Sequence, residues 1–467
     1  MLTIYHSLPP FARNWAASIY GWRLRHWRFG PETERLVTEA LERERWPVEK
    51  LRAWCEERLA RILWRAERTV PFYRAQWSQR RIRGDRSSPE RIENWPVLEK
   101  ETVRNNPHAF VSDESDARAL RAEQTSGTTG TPLRFWESRQ TSRLWYALAE
   151  ARWRRWYGVS FQDRWAILGG KVVAPIGNTR PPFWVWNRSL NQLYVSSYHL
   201  SPPQIAATLD AMERYGVRYL SGYTAALNAL AKECLAQGRR LPMEVVVTEA
   251  EPLFHFQRAS LEEAFACPVR ETYGMCEHVG AASECECGCL HLWPEAGWAE
   301  VFQAAEPLRP GRAGDLVFTG LLNADMPFIR YRIGDRASLA APGGNPCGCG
   351  RRLPILESFV GRVADVLYTA DGRTISSSAV DIIFTVDLPL KKAQVVQKSY
   401  EELLVRYVPA PGFDAAAKKR IADRLEARIG AVKVRFESMP RLPRGANGKF
   451  KVVASELMPP VHAARRR

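Results

Sequence analysis

Five hydroxyl side chains and two glycines occur together in one short stretch, Gln124-Thr125-Ser126-Gly127-Thr128-Thr129-Gly130-Thr131-Pro132. Glycine lets a backbone approach a ligand closely, and backbone amides and hydroxyls donate hydrogen bonds to phosphate oxygens. The stretch is therefore a candidate polyphosphate-binding loop. It is not a Walker A loop, because no Gly-Lys-Ser/Thr sequence ends it. Taken alone, the same residues could equally form an ordinary flexible turn.

Two tight cysteine clusters form a second group of chemically capable residues, Cys285-Glu286-Cys287-Gly288-Cys289 with His291 close behind and Cys347-Gly348-Cys349. Closely spaced thiolates bind zinc tetrahedrally. Five of the nine cysteines lie in these clusters, which favours a metal site over a disulfide framework. We expect one structural zinc ion bound by four of the clustered residues, with His291 in reserve. The alternative is a set of free thiols in an Arg-rich loop, because the spacing is Cys-x-Cys and not Cys-x-x-Cys.

Length and composition indicate a globular protein of two or three domains. The chain has 467 residues, of which 45% are hydrophobic, and it contains 17 Trp, so it can bury a large core. The net charge of +16 makes nucleic acids, anionic membranes and anionic small molecules candidate partners, and charge alone does not choose among them. The first residues lack the features of a signal peptide, and no apolar stretch approaches the roughly 20 residues needed to cross a bilayer. A cytoplasmic enzyme is expected.

The elements that must position these residues alternate in the middle of the chain. Short apolar runs predict strands at 165–168, 219–221, 245–248 and 269–272, and helical periods fall at 203–215, 225–237 and 256–266. Such alternation predicts an α/β fold with a mostly parallel sheet flanked by helices. After Gly361 a smaller α+β unit follows, with a helix at 415–429. We therefore predict a large domain over 91–360 and a C-terminal domain over 361–467.

Residues 1–90 are predicted to be a helical, aromatic-rich segment packed on the core. Pro47 is expected to open one of its helices. Aromatic residues alternate with Arg and His near the start, at Trp15, Tyr20, Trp22, Trp27 and Phe29. We expect these aromatic side chains to pack on the main domain, since half-buried aromatic residues are common. The alternative is weak contact with an anionic membrane surface.

Seven motifs in a fixed order resemble those of the adenylate-forming superfamily, and most of all its phenylacetate-CoA ligase-like branch. They are the hydroxyl-rich loop, Thr248-Glu249-Ala250-Glu251-Pro252-Leu253, Thr272-Tyr273-Gly274-Met275-Cys276-Glu277, Gly314-Asp315, Tyr331-Arg332-Ile333-Gly334-Asp335, Gly361-Arg362 and Gly448-Lys449. The match runs from about residue 90 to about residue 455. One such motif would be weak evidence, whereas seven in order are specific.

The resemblance implies a site for ATP and Mg²⁺. The loop residues Thr125, Ser126, Gly127, Thr128, Thr129 and Gly130 would bind phosphates, and Glu249, Ala250, Glu251, Tyr273 and Gly274 would surround the adenine. Glu277 would hold Mg²⁺, which prefers oxygen ligands. Asp335 would accept both ribose hydroxyls, with Arg362 beside the sugar at a hinge. The acid pocket would include Ser221, Gly222 and Tyr223.

The resemblance also implies a two-step reaction. Lys449 would stabilise the charge that develops when a carboxylate attacks the α-phosphate of ATP. Glu277 would assist through its metal ion. The C-terminal domain would then rotate as a lid, so that the acyl group of the acyl-AMP passes to coenzyme A. The branch suggests an aromatic acid. Two positions depart from the family pattern, because the hinge has Ala364 where a carboxylate or lysine is usual and the loop has Thr131 where many relatives have lysine.

Two alternatives remain open at this stage. The acyl acceptor could be a carrier-protein thiol, an amine or a hydroxyl in place of coenzyme A. The chain could also be a catalytically inactive, basic, zinc-containing protein that binds nucleic acid, although the intact Glu277, Asp335 and Lys449 argue against this and no nucleic acid is expected as a partner. The sequence leaves the oligomeric state open, with a homodimer included.

Overall fold

The computed structural model describes residues 2–125, 133–175, 178–341, 343, 347–362, 366–369, 374–376, 380, 383–384, 388–443 and 450–457. The chain divides into two compact units. The larger unit comprises Met1–Ile333 and Ala337–Phe359, and the smaller one comprises Gly334–Arg336 and Val360–Arg467.

Helices occupy most of the first 110 residues and connect the central strands. Those of the larger unit are α1 (Leu2–Ser7), α2 (Pro10–Arg28), α3 (Thr33–Arg43), α4 (Val48–Thr69), α5 (Pro71–Ile82), α6 (Lys100–Asn105), α7 (Arg139–Trp153), α8 (Pro202–Arg214), α9 (Thr224–Ala236) and α10 (His255–Phe265). The smaller unit contributes α11 (Ala415–Ile429). Pro47 is the N-cap of α4. No helix in the described ranges is long and apolar enough to cross a membrane.

Strands of the first half of the chain are β1 (Arg121–Gln124), β2 (Arg134–Glu137), β3 (Trp165–Gly169), β4 (Trp184–Asn187), β5 (Gln192–Ser196), β6 (Tyr219–Tyr223), β7 (Val245–Glu249), β8 (Val269–Gly274), β9 (Ala281–Glu284) and β10 (Leu290–Leu292). Those of the second half are β11 (Gly297–Gln303), β12 (Glu306–Pro307), β13 (Gly314–Gly320), β14 (Tyr331–Leu339), β15 (Ile355–Arg362), β16 (Val366–Tyr368), β17 (Thr374–Ser376), β18 (Leu390–Gln397), β19 (Glu402–Pro409), β20 (Lys433–Ser438) and β21 (Val453–Ser455).

One long mixed sheet has the order β12-β11-β13-β14-β15-β10-β9-β8-β7-β6-β3-β5-β4. Pairing is parallel from β5 through β3, β6 and β7 to β8. It is antiparallel between β8 and β9, β9 and β10, and β10 and β15. The predicted α/β class is therefore confirmed, with a parallel run formed by β5, β3, β6, β7 and β8.

One face of the parallel strands forms a core with helices α8, α9 and α10. Alternate strand residues such as Leu168, Val195 and Leu220 are fully buried there among aliphatic side chains of the three helices. Side chains of a strand alternate between faces, so the residues between them, such as Ile167 and Ser221, lie on the opposite face. That second face is the floor of the candidate site described below.

The smaller unit has a sheet of its own with the order β20-β19-β18-β21. Alternate residues of β19, Leu403, Val405 and Tyr407, pack with Ile421 and Leu425 of α11. An amphipathic helix against one face of a short sheet is the expected way to bury both apolar faces.

Helix α2 is packed on one side only. The amide of Trp186 donates to Asn14 Oδ1 at 2.9 Å, and Arg13 Nη1 donates to the carbonyl oxygen of Val173 at 3.3 Å. On the outer side Trp15 is 69% exposed and Trp22 is 56% exposed. The expectation that the N-terminal aromatic side chains pack on the main domain is therefore wrong for these two residues, because each lies on the face of α2 that turns away from the sheet.

A buried carboxylate joins α3 and α7 to the loop between β10 and β11. Glu295 accepts from Arg43 Nη1 at 2.9 Å and from Arg152 Nη1 and Nη2 at 2.7 and 2.8 Å. Burial by itself would raise the pKa of Glu295, but the two guanidinium groups hold it at about 2. The carboxylate is therefore charged across the physiological range and binds two helices at once.

Removing this carboxylate should destabilise the larger unit strongly. In Glu295→Ala two guanidinium groups stay buried without their partner, and we expect a loss of about 3–5 kcal/mol in the free energy of unfolding, measured by urea denaturation. Glu57→Ala is the control, because Glu57 pairs with Arg61 on the surface and should change stability by less than about 0.5 kcal/mol. Equal stability of the two variants would contradict this assignment.

Candidate active site

A cavity of about 700 Å³ lies over the second face of the parallel strands. Its floor is made of alternate residues of β3, β5, β6 and β7, namely Trp165, Ile167, Gln192, Tyr194, Tyr219, Ser221, Val247 and Glu249. Its other walls come from α7, through Tyr146 and Trp153, and from α2, through Ala16, Ala17, Tyr20, Leu24 and Arg28. The N-terminal segment is therefore part of the candidate site.

The amino end of the floor is aromatic and contains one cation. The rings of Trp165 and Tyr219 stack at 5.6 Å with an interplanar angle of 4°. The guanidinium of Arg154 lies 5.3 Å from the Trp165 ring centre, and its Nε donates to the Tyr219 hydroxyl at 2.9 Å. Burial raises the pKa of Tyr219 to about 12, so this hydroxyl stays protonated. Flat apolar groups fit such a surface.

The carboxyl end of the floor brings two predicted groups together. Ser221, predicted to contact the acid, and Glu249, predicted to contact adenine, both line the cavity. Ser221 is the register partner of Ile167 and Val247 on the neighbouring strands. Ligands of open α/β sheets bind beyond the carboxyl ends of the strands, which is the position of these residues.

Gly222 and Tyr223 have different surroundings from Ser221. Gly222 has φ +155°, and a Cβ there would lie 2.6 Å from the carbonyl oxygen of Leu168, so only glycine allows β3 and β6 to approach this closely. Tyr223 is the N-cap of α9 and packs against the core formed by α8–α10. Of the three predicted acid-contacting residues, Ser221 is the one that lines the cavity.

The segment after β7 is fixed in shape by hydrogen bonds. Ala250 has a left-handed backbone with φ +65°. Glu251 Oε2 accepts from the Ala225 amide at 2.8 Å, and Thr224 Oγ1 donates to the Glu251 carbonyl oxygen at 2.9 Å. A carboxylate at the first turn of a helix satisfies free amides and the helix dipole. Glu251 thus caps α9, which gives it a structural role besides the one predicted at adenine.

Tyr273 and Gly274 end β8 next to α7. Tyr273 is only 8% exposed and packs in the main core, with its ring centre 5.0 Å from that of Phe359. Gly274 is exposed, and a Cβ there would lie 3.4 Å from the Trp153 ring. The exposed backbone of Gly274 is therefore the more accessible surface of the pair for a ligand.

Glu277, the predicted Mg²⁺ ligand, is almost completely buried and oriented by two side chains. Its Oε1 accepts from Lys100 Nζ at 3.0 Å and from the Tyr331 hydroxyl at 3.0 Å. Among the described residues, both bonds of this carboxylate use Oε1, which leaves Oε2 for a cation. Sequence reasoning placed Tyr331 in a motif but did not pair it with Glu277, and it did not identify Lys100, because neither residue is close to Glu277 in the chain.

Several predicted residues lie wholly or partly outside the described ranges. The loop residues Ser126, Gly127, Thr128, Thr129 and Gly130 and the predicted catalytic Lys449 belong to this group, as do Thr131, Ala364 and the side chain of Arg362. Thr125 is described, and its amide donates to the carbonyl oxygen of Leu133 at 2.9 Å while its Oγ1 accepts from the Leu133 amide at 3.0 Å. Asp335 lies on β14 and is buried.

Four of the six predicted zinc ligands meet in the larger unit. The ligand atoms of Cys285, His291, Cys347 and Cys349 lie within 4.8 Å of one another. The Sγ atoms of Cys285 and Cys347 are 3.5 Å apart, and Cys349 Sγ is 3.4 Å from His291 Nε2. A tetrahedral zinc ion with Zn–S bonds of about 2.3 Å separates two thiolates by about 3.8 Å, so the cluster has the required size.

The surrounding turns fit a closed metal site. The Gly288 amide donates to the Cys285 carbonyl oxygen at 3.0 Å, and Gly288 has φ +80°. His291 Nδ1 lies 3.3 Å from the Leu353 carbonyl oxygen, an arrangement that turns Nε2 towards the sulfur atoms. Within the described residues Cys287 and Cys289 stay outside the group of four, and His291 is one of its members and not a reserve.

The chain is similar to several known proteins. The CapK C-terminal domain matches residues 367–456. Protein CapK of Staphylococcus aureus is 24% identical over 83% of this chain and 85% of its own length. Phenylacetate-coenzyme A ligase of Thermus thermophilus is 25% identical over 88% of this chain and 98% of its own. A crystal structure of 2-hydroxyisobutyryl-CoA ligase with 2-HIB-AMP aligns with a TM-score of 0.68 at 20% identity, covering 89% and 91% of the two chains.

Over most of its length the chain is therefore similar to the adenylate-forming superfamily, and within it to the phenylacetate-CoA ligase-like branch. The two named relatives cover 83% and 88% of this chain, and the solved structure supports the same fold over 89% of it. The predicted superfamily and the predicted class of enzyme, an adenylate-forming ligase, are confirmed.

The carboxyl group of Glu271 holds the segment after β7 through a hydrogen bond. Glu271 Oε1 accepts from the Leu253 amide at 3.2 Å, and the Glu271 amide donates to Glu284 Oε2 at 2.7 Å. Burial is the main cause that raises the pKa of Glu271 to about 7; the Leu253 bond lowers it, the Glu284 charge raises it and Arg258 lowers it. Glu271 therefore changes charge near neutral pH.

This shift predicts a pH dependence of stability. Because the folded chain keeps the Glu271 proton up to about pH 7 and the unfolded chain loses it near pH 4.5, this group contributes stability below pH 4.5 that is lost as pH rises through 7. The loss is up to about 3 kcal/mol. Glu271→Gln keeps the acceptor and should remove this part of the slope in urea denaturation from pH 4.5 to 8. Parallel pH profiles of the two proteins would contradict the prediction.

Proposed function

We propose that this enzyme activates a bulky, largely apolar carboxylic acid with ATP as its acyl-AMP and then transfers the acyl group to coenzyme A. One observation carries the proposal: an aromatic cavity ends at Ser221, a predicted acid-contacting residue, and at Glu249, a predicted adenine-contacting residue. Two relatives support it by their names, since phenylacetate-coenzyme A ligase and 2-hydroxyisobutyryl-CoA ligase both form CoA esters of acids.

The proposed acid lies along the floor of the cavity. Its carboxylate faces the carboxyl ends of the strands, near Ser221, and its apolar body extends towards the stacked Trp165 and Tyr219. A cavity of about 700 Å³ lies within the size range of sites for drug-sized ligands and exceeds what a single benzene ring fills. An aromatic acid with an extended substituent is the substrate class that fits. Arg154 at the far end favours an acid with a polar group there.

ATP and Mg²⁺ are the proposed partners at the carboxyl ends of β6, β7 and β8. Glu249 and the exposed backbone of Gly274 contact adenine, and Asp335 binds the ribose. Glu277 offers Oε2 to Mg²⁺, an ion that neutralises charge between phosphate oxygens. Lys100 and Tyr331 keep the Glu277 carboxylate in one orientation. Lys100 adds a positive charge on the side where phosphates would bind.

Lys449 is the proposed catalytic cation of the first step. Attack of a carboxylate oxygen on the α-phosphate forms the acyl-phosphate bond and breaks the bond to pyrophosphate, and it brings two anions together. A fixed ammonium stabilises the charge that develops. The hydroxyl-rich loop, with Thr125, Ser126, Gly127, Thr128, Thr129 and Gly130, is proposed to bind the departing pyrophosphate. Arg362 is proposed to lie beside the ribose, next to the hinge.

A structural zinc ion is the second part of the proposal. Cys285, His291, Cys347 and Cys349 would hold it with no open position. Next to this cluster Arg351 pairs with Glu44 at 3.2 Å, and the Arg352 amide donates to the Glu44 carbonyl oxygen at 2.7 Å. The ion would therefore hold the 347–353 segment against the N-terminal helices. It would take no part in the reaction itself.

Acid-dependent exchange of pyrophosphate into ATP tests the first step. Over a panel of aromatic and aliphatic acids, we expect exchange that is highest for bulky aromatic acids. Lys449→Ala should lower the exchange rate by about 100- to 1,000-fold, because the charge of the transition state loses its fixed cation.

Lys433→Ala is the matched control, since Lys433 is an exposed lysine of the same unit and should leave the rate unchanged. Adding coenzyme A then separates the acceptors, because a thioester product supports the full proposal and continued accumulation of acyl-AMP points to another acceptor. Unchanged exchange in Lys449→Ala would exclude its catalytic assignment.

Metal analysis tests the zinc proposal. The purified chain should contain one zinc ion, and Cys347→Ser should lose it together with about 2–5 kcal/mol of stability, because the free energy of binding a structural zinc ion is part of the free energy of folding. Cys287→Ser is the control, since Cys287 is exposed and lies outside the group of four. It should keep the ion. Zinc loss in the control alone, or no zinc in the unaltered protein, would contradict the proposal.

A further inference from the structure

The outer face of α2 carries an apolar stripe that nothing in the described chain covers. Phe11 is 69% exposed, Trp15 69%, Ile19 57% and Trp22 56%. At about 100° per residue these four positions fall within an arc of about 80°. Large apolar side chains that are exposed singly are normal on a protein, whereas a contiguous exposed patch marks an interaction site. We call these four residues the α2 stripe.

The inner face of α2 lines the cavity and anchors the helix. Ala16, Ala17, Tyr20 and Leu24 line the cavity, and Arg13 and Asn14 anchor the helix through hydrogen bonds. The helix is therefore held on the larger unit without any contribution from the α2 stripe. Burial among the described residues does not explain why the stripe is apolar.

Positive charge predominates around the α2 stripe. Residues 1–31 contain four Arg and no Asp or Glu. Arg23 on α2 is exposed, and so is Arg188, whose amide donates to Ser18 Oγ of α2 at 3.1 Å. A helix with Trp and Phe on one side and flanking cations is typical of segments that lie in the interface of an anionic bilayer.

We propose that the α2 stripe docks this enzyme on the surface of an anionic lipid membrane. Trp15 and Trp22 would sit at the level of the headgroups with Phe11 and Ile19 beside them, while Arg23 and Arg188 pair with lipid phosphates. The inner face of α2 lines the cavity, so docking places the cavity wall next to the bilayer. This proposal is independent of the identity of the acid and of its acceptor.

Vesicle sedimentation of the full chain tests the proposal. Vesicles of phosphatidylcholine alone are compared with vesicles that contain about 30% phosphatidylglycerol, at low and at high salt. We expect binding to the anionic vesicles that weakens with salt. Replacement of all four residues of the stripe, Phe11→Ser, Trp15→Ser, Ile19→Ser and Trp22→Ser, should lower the partition coefficient about tenfold or more. Tyr20 stays unchanged because it lines the cavity.

Matched variants control for exposed apolar surface and for folding. Trp64 is 52% exposed on α4 and Ile82 is 85% exposed on α5, so the double variant Trp64→Ser with Ile82→Ser removes exposed apolar side chains elsewhere and should bind as the unaltered protein does. A second variant, Arg23→Glu with Arg188→Glu, should lose the preference for anionic vesicles. Thermal unfolding of each variant shows that it is folded.

Three results would overturn the proposal. The first is equal vesicle binding by the unaltered protein and the variant without the stripe. The second is equal loss of binding in the control variant with Trp64 and Ile82 replaced. The third is a protein that ignores vesicles and forms a dimer that the stripe substitutions dissociate, since the covering partner would then be a second copy of the chain.

Discussion

Parallel hydrogen bonding between β5, β3, β6, β7 and β8 is the constraint on which the candidate site depends. The register pairs Trp165 with Tyr219 and Ile167 with Ser221, so these side chains share one face, and their neighbours Ala166, Leu168 and Leu220 enter the core under α8–α10. A slip of one residue would exchange the two faces. The hydrophobic core thereby fixes the composition of the cavity floor.

The same strands bring their carboxyl ends to one edge, where the segments after them carry polar residues. Each of these segments is held by a hydrogen bond within the chain. Glu251 caps α9, Glu271 accepts from the Leu253 amide, and Lys100 with Tyr331 orients Glu277. Buried polar groups of this kind keep a site in one arrangement before a ligand arrives. Helices α2 and α7 contribute to the same site, because they form the walls opposite the floor.

Local patterns predicted the elements well. The predicted helix 415–429 coincides with α11, and the predicted central strands match β3, β6, β7 and β8, which run one or two residues further. These predictions depend on hydrophobic periodicity, which a strand or helix shows within its own residues. The motif order predicted the superfamily for a related reason. Each motif is a short segment that can be recognised from the sequence alone, without knowledge of its tertiary contacts.

Tertiary contacts could not be predicted from these local sequence patterns. The pairing of Glu277 with Lys100 and the capping of α9 by Glu251 join segments that are far apart in sequence. The membership of His291 in the cysteine group depends on β10 bringing it next to the second cluster. The outward position of Trp15 and Trp22 depends on which face of α2 the sheet occupies, and aromatic composition alone favoured burial. The spacing of charged residues near Glu295 gave no signal that two arginines would converge on it.

The most direct test of the account is a crystal structure of the chain with a non-hydrolysable acyl-adenylate mimic, an acyl-sulfamoyl adenosine made from the acid with the highest exchange activity. We predict that the acyl group lies in the cavity against Trp165 and Tyr219, that its carbonyl end is next to Ser221, and that the adenine lies beside Glu249 and Gly274. An acyl group outside this cavity, or an adenosine away from the carboxyl ends of β6–β8, would contradict the account.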